Sequence, residues 1–149
     1  MSARIHSLDE YIPEDDLILI PPGEYELSYQ YHVTWLYMGR IPKVVVAFRI
    51  ASLGEHFGKP IFAYYNVGKI SGKPRKNGQF SVGWRSRFMW DYAMCFGKPI
   101  RKDRIPMVRF REHIVIGKLR TVTSNHEQKK YPESLQYSVV DELTGLMIP

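Results

Sequence analysis

The sequence predicts a single mostly-β domain with five strands and one helix, in the order strand, strand, strand, helix, strand, strand. Two observations support this prediction. Segments in which apolar and polar residues alternate recur along the chain, and only one segment has the apolar spacing and end signals of a helix. A length of 149 residues is that of one domain. We therefore expect one domain over residues 1–149, in which residues 1–21 form an acidic N-terminal arm.

Three strands are predicted in the first half of the chain. In the first, 24–37, odd positions are apolar or aromatic and even positions are mostly polar. Most of these odd side chains are expected in the core, while Tyr31, Trp35 and Tyr37 approach the strand end. The second strand, 43–51, alternates again, and the third, 60–67, has the aromatic and β-branched bias of a sheet.

The helix is predicted over 86–96, after an irregular segment, 68–85, that contains four glycines and a proline. Ser86 is a suitable N-cap, and Gly97 is suited to the position just beyond the last turn. Strands four and five are expected over 114–123 and 136–146.

The order of elements is that of the OB-fold, a five-stranded, partly open barrel. OB-folds bind oligonucleotides or oligosaccharides across strands two and three and the loops beside them. Gly117 in the fourth strand predicts a bulge or a close approach of two backbones.

Charge is distributed unevenly along the chain. The formal net charge is +6, yet residues 1–30 hold seven acidic residues against Arg4 alone. Residues 69–120 hold fourteen lysines and arginines against three acidic residues, a local charge of +11. Such an asymmetry predicts a polyanionic partner, nucleic acid before an anionic membrane surface.

Enzymatic sites are weakly indicated. The segment 68–73, GKISGK, has three residues between its glycines where a phosphate-binding loop needs four, and Pro74 replaces the serine or threonine. The five histidines and the single cysteine, Cys95, lack the spacing of a zinc site. We expect no cofactor, no metal and no catalytic activity. A metal-dependent nuclease or recombination enzyme stays open as an alternative, with these carboxylates: Asp91, Asp103, Glu112, Asp141 and Glu142.

Binding of single strands needs cations for the phosphates and aromatic faces for the bases, and one loop and the start of the helix supply both. The predicted site there is Lys69, Lys73, Arg75, Lys76, Phe80, Trp84, Arg85 and Arg87. Further predicted contacts are Lys43 and Arg49 on strand two, Arg101 and Lys102 in the next loop, and Lys118 and Arg120 on strand four. Tyr64 and Tyr65 point to opposite sides of strand three, so one of them is expected in the core and the other at the binding surface.

Several phrases of the sequence, FAYYNV, GKPRKNGQF, RFMWDYAMCFG, DRIP, GKLRTV and YSVV, resemble those of small phage and mobile-element proteins of the OB-fold single-stranded DNA-binding type. The resemblance covers roughly residues 22–147. It implies a non-catalytic protein that coats single strands during replication or recombination, with little sequence preference. RNA binding and a structural or interaction role stay open as alternatives.

The expected partners are single-stranded DNA, replication or recombination proteins, and further copies of the chain. The sequence contains no run of about 20 apolar residues that could span a bilayer, and no apolar signal-peptide segment near its start. We therefore expect no membrane partner and a cytoplasmic location in a bacterial host cell.

Overall fold

A computed structural model describes residues 17–148, so the predictions for residues 1–16 of the acidic arm lie outside the described residues. The described chain forms the following elements: β1 (Gly23–Tyr37), β2 (Ile41–Ile50), β3 (Pro60–Asn66), β4 (Lys69–Ile70), β5 (Phe80–Ser81), α1 (Arg87–Phe96), α2 (Val108–Arg111), β6 (Val115–Val122), the 3₁₀ helix η1 (Glu133–Leu135) and β7 (Tyr137–Leu146). The mostly-β class, the five long strands and the main helix are confirmed.

Five antiparallel strands form the main sheet, in the order β3-β2-β1-β6-β7. β1 is central because it is long enough to serve two neighbours. Its first residues, from Gly23 to Leu27, pair with β6, and the rest of the strand, from Leu27 to Tyr37, pairs with β2. β3 and β7, at the two ends of this order, contact each other. The sheet is therefore strongly curved, and α1 packs against β7 and β3.

A bulge in β1 moves its apolar side chains from one face of the sheet to the other. The register with β2 shifts between Tyr29 and Tyr31. Before the shift Leu27 and Tyr29 face the main core, and after it Val33 and Trp35 belong to a second buried cluster. One extra residue reverses the alternation, because side chains change face at every residue of a strand. The prediction of one continuous apolar face on this strand is therefore wrong.

The main core is rich in aromatic residues from distant elements. Phe110 of α2 stacks on Tyr29 of β1 with ring centres 5.5 Å apart, and Phe88 of α1 meets Phe80 of β5 edge to face at 5.0 Å. The predicted ends of α1 are confirmed. The Ser86 hydroxyl accepts a hydrogen bond from the backbone N–H of Met89 at 3.1 Å, and Gly97 has a φ of 79°.

Close packing of β6 on its neighbours explains Gly117. The register with β7 shifts beside it, and a Cβ at this position would lie 2.8 Å from Leu27 Cδ1 and 3.2 Å from the Glu142 carbonyl oxygen. The predicted bulge and close approach are both confirmed.

Three short features were not predicted: α2, the 3₁₀ helix η1, and the ribbon that β4 and β5 form inside the segment 68–85. All three are too short to show a periodic pattern. No helix of residues 17–148 combines the length and apolar character needed to cross a membrane.

Candidate nucleic-acid interface

The face of β1, β2 and β3 that points away from the main core carries a cluster of aromatic and aliphatic side chains. This outer sheet face consists of Tyr31, Val33 and Trp35 on β1, Val45 and Ala47 on β2, and Phe62 and Tyr64 on β3. Tyr31 and Tyr64 are half-buried, and the other five are buried. The two tyrosines are therefore the rings that a ligand on this face can reach first. Tyr64 is the more exposed member of the predicted pair, whereas Tyr31, Trp35 and Phe62 were not included in the predicted site.

Cations border the outer sheet face. The Lys76 ammonium lies 4.8 Å from the centre of the Tyr31 ring, and that of Lys43 lies 4.6 Å from the centre of the Tyr37 ring. Arg49 is exposed at the other end of β2, where its guanidinium donates to the Gly58 carbonyl oxygen at 2.8 Å. The alternation along β2 places Lys43 and Arg49 on the face opposite the main core, as the sequence predicts.

The loop that carries Lys76 is fixed to β1 by a network around His32. The backbone N–H of Asn77 donates to the His32 carbonyl oxygen at 2.6 Å, and His32 Nε2 lies 2.8 Å from the Gly78 carbonyl oxygen. A carbonyl oxygen only accepts, so Nε2 carries the hydrogen and Nδ1 accepts from the Tyr29 hydroxyl at 2.8 Å. Burial lowers the pKa of His32 below its usual value, which keeps the ring neutral at pH 7. This network holds Lys76 beside Tyr31.

Two predicted stacking residues belong to the main core instead. Phe80 is 1% exposed, because the loop turns inward at β5 and places this ring between His32 and Phe88. Tyr65 is buried, and its hydroxyl donates to Asp91 Oδ2 at 2.7 Å. Phe80 has no face open to a base, so its assignment to the binding surface is wrong. Burial of Tyr65 agrees with the prediction that one of Tyr64 and Tyr65 lies in the core.

The remaining loop cations are exposed: Lys69, Lys73, Arg75, Arg85, Arg101 and Lys102. Arg75 is oriented by donation to the carbonyl oxygens of Ser71 and Lys73, at 3.3 and 3.1 Å. Arg101 forms a two-point ion pair with Asp103, with donor–acceptor distances of 2.9 and 2.7 Å. This pair lowers the pKa of Asp103 and offsets the positive charge at that point of the loop.

Carboxylates of β7 partly neutralise the positive charge of two further predicted binding residues. Lys118 and Arg120 of β6 face Glu142 and Asp141, at 3.6 and 3.1 Å. Arg87 donates to the backbone carbonyl oxygens of Val140 and Asp141.

Arg87 and Arg120 line a groove of about 500 Å³ between β3 and β7, together with Tyr64 and Tyr65. The structure thus brings these four predicted residues together at one edge of the outer sheet face.

Trp84 lies in a different place from the outer sheet face. It is 41% exposed and lines a groove beside α1 whose lining shares no residue with the outer sheet face. The Lys98 ammonium is 4.7 Å from the centre of its indole ring. Trp84 is thus accessible, as predicted, but it is not part of the aromatic cluster on β1, β2 and β3.

The carboxylates of the nuclease alternative are distributed among different partners. Asp91 is bound to Tyr65, Asp103 to Arg101, and Asp141 to Arg120. Within residues 17–148 no group of three or more histidine, cysteine, aspartate or glutamate side chains is placed to hold a metal ion. Burial raises the pKa of the Cys95 thiol to about 12, so this residue is an unreactive core group.

Comparison of the chain with protein-family models, curated proteins and solved structures finds no match. The geometry of the outer sheet face and its cations therefore carries the functional inference.

Proposed function

We propose that the chain is an OB-fold protein that binds single-stranded DNA with little sequence preference and catalyses no reaction. The order β3-β2-β1-β6-β7, the contact between the end strands β3 and β7, and a helix inserted between β3 and β6 are the arrangement expected of a partly open five-stranded barrel. Such barrels bind ligands across strands two and three, which correspond here to β2 and β3.

The observation that supports this function most directly is the outer sheet face. Tyr31 and Tyr64 present aromatic surfaces there, with Lys43, Arg49 and Lys76 at its border. Unpaired bases stack on such rings whatever their identity, and the neighbouring cations neutralise phosphates. Binding of this kind suits a protein that coats single strands in phage or mobile-element replication or recombination, in the cytoplasm of a bacterial host.

The direct test is the salt dependence of binding to labelled oligo-dT. Each phosphate contact contributes a slope of about 0.7 in the plot of log affinity against log salt, so about four contacts reduce the affinity roughly 50-fold between 50 and 200 mM salt. Fluorescence anisotropy over this range measures the slope. A slope near zero would exclude nucleic-acid binding as the main function.

The same titrations with RNA and duplex DNA, with and without magnesium, separate the alternatives. Intact complexes that favour single-stranded DNA support the proposal, and cleavage on addition of magnesium would replace it by a nuclease.

A second prediction concerns the two half-buried tyrosines. Tyr31→Ala and Tyr64→Ala are each expected to weaken oligo-dT binding by about 1–3 kcal/mol, because each removes a stacking surface. Trp90→Ala is the matched control, since Trp90 is a larger and more exposed ring, 68% exposed, on α1. Thermal unfolding establishes that the three variants are folded. Equal losses for all three, or none for the tyrosine variants, would mean that bases do not stack on the outer sheet face.

A further inference from the structure

One side of α1 carries large apolar residues that face solvent. The groove there, about 420 Å³ in volume, is called the α1 groove, and its apolar lining consists of Trp84, Met89, Trp90, Ala93 and Met94. Trp90 is 68% exposed, Met94 49% and Trp84 41%. Soluble proteins rarely expose several large apolar side chains next to one another unless the patch binds something.

The exposed side chains of Trp90 and Met94 are not required to hold α1 in place. The opposite side of the helix already packs into the main core through Phe88, Tyr92 and Cys95. Trp90 and Met94 are four residues apart, so they lie one above the other on the helix surface. An amphipathic helix normally carries polar residues in these positions. The exposed pair therefore indicates a contact made outside the domain.

Among residues 17–148, every charged side chain that lines the α1 groove is positive. The two charged lining residues are Arg85 and Lys98, and Lys98 lies above the Trp84 ring. The hydroxyl of Ser86, the one other polar lining residue, is engaged in capping the helix. We propose that the α1 groove docks a segment of a partner protein in which aliphatic or aromatic anchors are flanked by carboxylates. Its apolar anchors pack on Trp90 and Met94, and its carboxylates face Arg85 and Lys98.

The chemistry of the groove favours a protein segment over a nucleic acid. Two cations are few for a phosphate backbone, and the described residues of the lining offer no side-chain amide to hydrogen-bond a base edge. Tryptophan is enriched at the energetic centres of protein–protein interfaces, and methionine adapts its shape to different partners. Because the α1 groove shares no lining residue with the outer sheet face, docking there leaves the outer sheet face open.

The test begins with selection from a random peptide display library, with peptides of about 16 residues, on the full chain. Enriched peptides are expected to combine leucine, phenylalanine or tryptophan with several aspartates or glutamates.

Isothermal titration then compares three variants of the chain. Trp90→Ala is expected to weaken binding at least tenfold, and Lys98→Glu is expected to weaken it while the apolar contact stays. Leu53→Ala, which removes a 91% exposed apolar residue outside the groove, is expected to leave the affinity unchanged.

Several results would overturn the proposal. The first is enrichment of basic peptides, or of peptides whose affinity does not change in Trp90→Ala. A concentration-dependent dimer that Trp90→Ala abolishes would assign the groove to a second copy of the chain. Peptide binding that requires deletion of residues 1–16 would assign it to the acidic arm. A loss of oligo-dT affinity in Trp90→Ala, with the fold intact, would assign it to nucleic acid. If no peptide binds, the docking proposal fails. The proposed function is tested separately, by the salt dependence of DNA binding.

Discussion

Replacing Phe80 by alanine is expected to destabilise the protein by about 3–5 kcal/mol, the usual cost of removing a large aromatic side chain from a core. Phe80 is 1% exposed, and its ring centre lies 5.0 Å from that of Phe88 and 5.8 Å from that of His32. The truncation removes the contact of Phe80 with Phe88, which joins the segment 68–85 to α1, and leaves a cavity between them. It also loosens the surroundings of His32, the residue that fixes the loop to β1.

The matched control is Trp84→Ala, four residues further along the chain. Trp84 is 41% exposed, so we expect its removal to cost less than about 1 kcal/mol. Urea unfolding monitored by circular dichroism gives both values. If Phe80→Ala unfolds at the same urea concentration as the unmodified chain and binds oligo-dT more weakly, Phe80 is a stacking residue and the description of the core is wrong.

Local signals were sufficient for most of the elements. The helix predicted over 86–96 is observed as Arg87–Phe96, because a capping serine and a glycine with a positive φ mark its two ends in the sequence itself. The strand predicted over 114–123 is observed as Val115–Val122, because alternation reports which side of a strand is buried.

The bulge in β1 left no signal in the sequence. Odd positions are apolar before and after it, since the strand buries side chains first on one face of the sheet and then on the other. A single apolar face and two successive apolar faces therefore produce the same alternation. For this reason the sequence predicts Val33 and Trp35 on the same face as Leu27 and Tyr29, although it also places Tyr31, Trp35 and Tyr37 near the strand end.

The positions of the loop residues depend on contacts between distant parts of the chain. Phe80 is turned inward because Asn77 and Gly78 hydrogen-bond His32, which lies 45 or more residues earlier. Pairing of Arg120 with Asp141 depends on a strand register that shifts twice between β6 and β7. Neither contact follows from residue type or spacing. The sequence therefore indicates which residues are cations, but it does not show which of their charges are neutralised by a nearby carboxylate.

A buried carboxyl group gives the protein an unusual dependence on pH. Asp91 is 1% exposed, and its Oδ2 accepts a hydrogen bond from Tyr65. Burial raises the pKa of Asp91 from 3.8 to about 6, although the hydrogen bond from Tyr65 and the charge of Arg87 act in the opposite direction. The folded protein therefore holds the Asp91 proton at pH values where the unfolded chain has released it.

The direction in which stability changes with pH follows from this difference in bound protons. Between about pH 4 and pH 6 the folded state binds more protons at Asp91 than the unfolded state, so the free energy of unfolding falls as the pH rises. At about 1.4 kcal/mol per pKa unit, the free energy of unfolding falls by about 2–3 kcal/mol in total, and this loss persists above pH 6. His32 acts in the opposite direction, because burial lowers its pKa and its protonation on acidification favours unfolding.

Asp91→Asn is therefore expected to be more stable than the unmodified chain at pH 7.5, by up to about 2–3 kcal/mol, and similar to it near pH 4. Asparagine cannot ionise, and its side-chain oxygen still accepts from the Tyr65 hydroxyl. The contribution of His32 cancels, because it is present in both proteins. Urea unfolding at pH 4, 5, 6 and 7.5 measures the difference, with Asp103→Asn as the exposed control, for which no such gain is expected. If Asp91→Asn is the less stable protein at pH 7.5, the core stabilises the charged carboxylate, and the effect of burial on Asp91 is smaller than that of Tyr65 and Arg87.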